Sequence, residues 1–129
     1  MLNPIEFKII PHRQMRYRTC GDYFEQDGTI QFRVSDMGND DYEFLVLIHE
    51  IVEQYLTQRR GITEESINEF DVNFEEERDA GLHSFDAEPG DDPKAPYRKE
   101  HFTATNIERM ICEQLGVDWD KYSDTVNNL

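Results

Sequence analysis

The chain has 129 residues, with 13 Lys and Arg set against 28 Asp and Glu, a formal net charge of -15. That length allows one domain around one modest core, and so large an acid excess argues against a nucleic-acid backbone binder. The charge suits cationic partners instead: divalent metals, basic peptides or basic protein surfaces. Two cysteines, Cys20 and Cys112, are too few for a disulfide framework. No stretch reaches transmembrane length, and the first residues lack the basic and apolar regions of a signal peptide. A cytoplasmic protein with reduced thiols and no membrane partner is the expectation.

Taken in chain order, residues 1–36 read as β-rich. Ile5, Phe7 and Ile9 alternate with Glu6, Lys8 and Ile10, as in a half-buried strand that stops at Pro11. Residues 16–24 form a second candidate strand, and Asp27-Gly28 is a hairpin turn signal. Ile30, Phe32 and Val34 then alternate with Gln31, Arg33 and Ser35. Together these predict a small antiparallel sheet.

Three main helices follow, an α+β arrangement within a single domain. The first spans residues 42–60, begun by Gly38-Asn39-Asp40-Asp41 and stopped by Gly61, with Leu45, Ile48, His49, Val52 and Leu56 inward. The second spans 63–78, capped at Thr63, with Ile67, Phe70, Asp71 and Phe74 inward. Residues 79–96, rich in Pro, Gly and Asp, read as a long functional loop. The third helix spans 97–115, with His101, Ala104, Glu108, Ile111 and Leu115 inward, and Trp119 and Tyr122 close the core from a short last helix.

Each main helix thus carries an ionisable group on its apolar face: His49 and Glu53, then Asp71, then His101 and Glu108. Buried charges are costly unless they are paired or bound to metal. Residues 49–53 read HEIVE. His49 and Glu53 are four apart, so both side chains can grip one ion, and Glu50 stands beside them as a general base. The logic is that of H-E-x-x-H, with glutamate replacing the second histidine. His101 is the first choice for a third ligand and Asp71 the alternative. A site of two histidines and one carboxylate suits Zn²⁺, and other divalent metals fit the same donors. Glu108, next to Arg109, reads as structural. Arg109 and Arg59 are candidate partners for Asp71. His12 and His83 read as surface residues.

The order of elements, with the segments PHRQMRYRTCGDY, RVSDMGNDDYEFLVLIHEIVEQYL, EFD, EPGDDPKAPYRKEH and LGVDWDKY, resembles a group of short bacterial and phage proteins with a minimal zincin-like, metalloprotease-like core. The resemblance covers nearly the whole chain. It implies that His49 is the first metal ligand and Glu50 the general base, with Glu53 at the second ligand position. It places a third ligand soon after the second, which suits Asp71, while His101 has no counterpart in the usual signature. It also implies that an extended substrate pairs with the edge strand before the active helix, here residues 31–35.

Two functions fit these readings. One is a zinc-dependent hydrolase of the zincin type, peptidase-like, with a water activated by the metal and by Glu50, and with loop 79–96 as a lid. The other is a non-catalytic acidic module or adaptor of bacterial or phage origin, holding a structural or vestigial metal site and engaging a basic protein.

Overall fold

The computed structural model describes residues 2–129 and is α+β. Strands β1 (Ile5–Ile10), β2 (Gly21–Gln26) and β3 (Thr29–Ser35) form one sheet. Helices α1 (Asp40–Arg60), α2 (Glu64–Asp79), α3 (Arg98–Gln114) and α4 (Trp119–Asn127) follow it. Asp27 and Gly28 both adopt positive φ, 52° and 81°. This is the backbone that a two-residue hairpin needs, and it sets Gln26 opposite Thr29.

The sheet is mixed rather than antiparallel. β2 pairs with β3 antiparallel, but β1 pairs with β3 parallel, and the strand order is β1-β3-β2. Residues 11–20, with a 3-10 turn at His12–Gln14, carry the chain from one side of β3 to the other. For β1, alternation of apolar residues predicts the strand but neither the direction of its neighbour nor its burial: expected half-buried, this edge strand is exposed along most of its length, because no helix covers it. One consequence corrects the sequence reading: residues 31–35 lie in the central strand, with both edges paired, so they offer no free edge to a substrate.

Helix ends follow their capping chemistry. Asn39 accepts from the Tyr42 N–H at 3.1 Å, and Gly61, at φ 78°, closes α1 in the left-handed conformation. Thr63 caps α2 and Asp118 caps α4. The bounds fall within two residues of those predicted. The apolar core has two lobes. Tyr23, Ile30, Phe32, Ile67, Ala95 and Tyr97 form one. Val34, Leu45, Val46, Cys112 and Tyr122 form the other.

The inner faces differ in part from expectation. On α1 the buried residues are Leu45, Val46, His49, Glu53 and Thr57, and Ile48, Val52 and Leu56 are only half-buried. On α3 Cys112 is buried, while Leu115, just past the helix end, is exposed. α1 therefore turns a polar stripe, His49-Glu53-Thr57, to the interior, and its apolar residues flank that stripe. No helix among the described residues is long and apolar enough to cross a membrane.

Candidate metal centre

α1 and α3 pack antiparallel, so a turn of one meets a turn of the other in reverse order. His49 lies against Glu108, and Glu53 against His101. The helical repeat places the His49 Nε2 3.1 Å from Glu53 Oε2. From the facing helix, His101 Nδ1 stands 3.2 Å from His49 Nε2 and 2.9 Å from Glu53 Oε2. All three residues are buried.

Three donor atoms at the corners of a triangle of 2.9, 3.1 and 3.2 Å suit a metal ion. Tetrahedral ligands about 2.0–2.1 Å from zinc lie roughly 3.3 Å apart, so a slight opening of the triangle accommodates the ion. Without a metal, charged His49 and His101 can both donate to Glu53 Oε2, whose lone pairs accept two hydrogen bonds.

Each of the three has a second partner that fixes its orientation. His49 uses its other nitrogen, Nδ1, on Glu108 Oε1 at 2.8 Å, and the Tyr122 hydroxyl donates to Glu108 Oε2 at 2.6 Å. The Tyr23 hydroxyl donates to Glu53 Oε1 at 3.0 Å, leaving Oε2 for the centre. His101 turns Nε2 outward to Glu88 Oε2 at 3.2 Å and Asp91 Oδ1 at 3.4 Å. A carboxylate behind each imidazole is the arrangement that sets the tautomer of a metal-bound histidine and raises its basicity. Glu88, Asp91 and His101 also converge closely enough to hold an ion, but the two acids are exposed.

Gly90 supports the same geometry. A Cβ on it would lie 2.3 Å from His101 Cγ, so only glycine lets the loop lie flat on that ring.

The electrostatics follow from crowding. Burial favours neutral imidazole at His49, but the Glu108 and Glu53 carboxylates outweigh it and push its pKa up to about 10. At His101 burial is again outweighed, by Asp91, Glu53 and Glu88, and the pKa rises to about 12. Burial disfavours the Glu53 anion, yet hydrogen bonds from His101 and His49 bring its pKa down to about 2. The acid excess draws positive charge into the centre, and a dication can replace the protons that otherwise supply it.

Glu50 sits one residue round the helix from His49. It is half-buried and packed against Gly21, where a Cβ would come 2.7 Å from Glu50 Oε1. Burial and the neighbouring Glu53 charge hold its pKa well above the carboxylate range. Glu50 lines two clefts. One, of about 180 Å³, also exposes Glu53 and His101 and is walled by Tyr17, Asp71 and Tyr97. The other is walled by Thr105, Trp119 and Arg109, whose guanidinium stacks 4.1 Å over the Trp119 ring.

Asp71 does not join the centre. The Tyr97 hydroxyl donates to its Oδ1 at 2.5 Å and the Tyr17 hydroxyl to its Oδ2 at 3.1 Å. Neither Arg59 nor Arg109 reaches it. Burial pushes its pKa up, the two hydroxyls oppose the rise, and it stands at about 6. Of the residues singled out from sequence, His49, Glu53 and His101 come together, with Glu50 alongside and Asp71 in the cleft wall. His12 bonds Ser35 Oγ at 2.8 Å, and His83 stacks on Phe74 with ring centroids 3.8 Å apart.

Sequence reasoning missed Glu108, Glu88, Asp91 and Tyr23 as orienting groups. Glu108 carried a readable signal: it lies two turns beyond His101 on the same inward face. No protein-family model matches this chain, and no curated protein or solved structure matches it either.

Proposed function

We propose that this protein is a zinc-dependent hydrolase acting on peptide bonds. The observation that carries the reading is the buried trio of His49 Nε2, Glu53 Oε2 and His101 Nδ1, each backed by its own orienting partner, with Glu50 open to a cleft beside it. Two neutral imidazoles and one carboxylate are a good donor set for Zn²⁺ and leave it a net positive charge. When bound, the metal would polarise a substrate carbonyl and lower the pKa of water.

The rest falls to side chains. Glu108 holds the His49 ring, Glu88 and Asp91 hold His101, and Tyr23 turns Glu53 so that one oxygen faces the centre. Glu50 takes the proton of the attacking water and delivers it to the leaving amine. The substrate-lining strand is β2, whose Gly21, Asp22 and Tyr23 border the cleft with Glu53 and His101.

One observation favours a second reading. All three donors are buried, as in a closed structural site, so the metal would then only clamp α1 to α3 in a non-catalytic acidic module. The test is metal content and peptide hydrolysis in wild type and Glu50→Gln. The proposal expects one zinc per chain in both proteins. It also expects cleavage of a mixed peptide pool that falls by about 100-fold or more in the variant. Zinc in both with no cleavage by the wild type would leave the structural reading, and no bound zinc would remove both.

A further inference from the structure

β1 leaves one edge of the sheet open. Its Pro4 and Ile10 carbonyls accept from Ile30 N–H at 2.9 Å and Asp36 N–H at 2.8 Å, so the even-numbered backbone groups point to β3. The N–H and C=O groups of Ile5, Phe7 and Ile9 therefore point outward, and among the described residues no backbone hydrogen bond reaches them from outside the sheet. The side chains of these three residues are also uncovered, at 53%, 43% and 37% exposure. They stand on the face of Ile30, Phe32 and Val34, their register partners, which the helices bury. An apolar strand with free backbone groups is a site where another strand adds.

The sequence of β1 says which strand. Read antiparallel to itself about Phe7, it sets Ile5 opposite Ile9, Phe7 opposite Phe7, and Glu6 opposite Lys8. Three requirements are then met together. Outward-pointing residues meet outward-pointing residues, as hydrogen-bonded antiparallel pairs must. The apolar strips of both copies merge on one face. On the other face each Glu6 meets a Lys8. Centring on Lys8 would set Lys8 against Lys8, and centring on Glu6 would set Glu6 against Glu6. Within one copy these two side chains already pair, with Lys8 Nζ 3.2 Å from Glu6 Oε1, so dimerisation would gather four alternating charges.

We infer that the protein forms a two-fold symmetric homodimer through antiparallel β1–β1 pairing centred on Phe7, which joins the two sheets into one. β2 and the metal-side cleft lie at the other edge of each sheet, so both clefts stay open. The inference is independent of any metal.

Sedimentation velocity over a concentration series at physiological ionic strength tests it, where distant like charges are screened. Wild type should be dimeric. Glu6→Lys and Lys8→Glu each replace two attractive cross-strand pairs by two repulsive ones and should weaken association at least about tenfold. The double variant Glu6→Lys/Lys8→Glu restores opposite charges in the same register and should regain the dimer. Phe7→Asp, with two carboxylates at the axis, should be monomeric. Far-UV circular dichroism confirms that each exposed substitution leaves the fold intact. A wild type that is monomeric throughout overturns the inference, as does a dimer indifferent to the single changes or a double variant that fails to recover.

Discussion

Glu53 and Asp71 are buried to nearly the same depth, at 5% and 7% exposure, yet they are driven in opposite directions. Glu53 faces two imidazoles and is held down to about 2. Asp71 faces two neutral tyrosine hydroxyls and is pushed up to about 6. Burial costs both anions; the difference lies in what stands opposite. Glu53 occupies a place built for positive charge. Asp71 is a carboxyl group kept in a cleft wall, close to the pH at which it can lose or gain a proton.

The sharpest way to break this comparison is to remove one member at a time. Glu53→Ala or His101→Ala should lower zinc affinity by more than about 100-fold, since each deletes a proposed ligand. Asp71→Asn should change it by less than about threefold. Competition against a chromogenic chelator measures both, and equal losses would erase the distinction.

Gly90→Ala tests the support of the centre without touching a ligand. The new methyl group must move His101 or the loop, so zinc affinity should fall by roughly 10- to 100-fold in the same titration. Glu108→Gln keeps a group near His49 Nδ1 but removes its charge, and a loss of about tenfold is expected.

The smallest effect separates the two carboxylates by pH in metal-free protein. The folded pKa of Asp71 lies above its ordinary 3.8. Its contribution to stability is therefore full below 3.8 and lost as pH rises through about 6. The folded pKa of Glu53 lies below its ordinary 4.5. Its contribution is present above 4.5 and lost as pH falls through about 2. Urea unfolding of wild type and Asp71→Asn between pH 4 and pH 6 should differ in slope by up to about 1.4 kcal/mol per pH unit, with wild type the one that weakens as pH rises.

Much of this was legible in the chain because it is local. The Asp27-Gly28 turn, the caps at Asn39 and Thr63 and the stop at Gly61 act over a few residues, and they set the elements. The pairing of His49 with Glu53 follows from the helical repeat alone. His101 could be suspected as a histidine on an inward face, but its approach to His49 depends on the antiparallel packing of α1 on α3. The parallel direction of β1 is a property of residues 11–20 and of β3's two edges, so the alternation in Ile5–Ile10 could not reveal it. Glu108 was legible as an inward, structural residue but its partner was not: Arg109 is the nearer candidate in sequence, whereas in the fold Arg109 stacks on Trp119 and Glu108 bonds His49. Tyr17 and Tyr97 give Asp71 its hydroxyls from segments 54 and 26 residues away, a relation no local pattern carries.

The central claim is that His49, Glu53 and His101 share one ion. Anomalous diffraction at the zinc edge from crystals grown with Zn²⁺ examines it directly. The account predicts a single peak within about 2.0–2.2 Å of His49 Nε2, Glu53 Oε2 and His101 Nδ1. No peak there, or one held instead by Glu88 and Asp91 outside His101 Nε2, would contradict it.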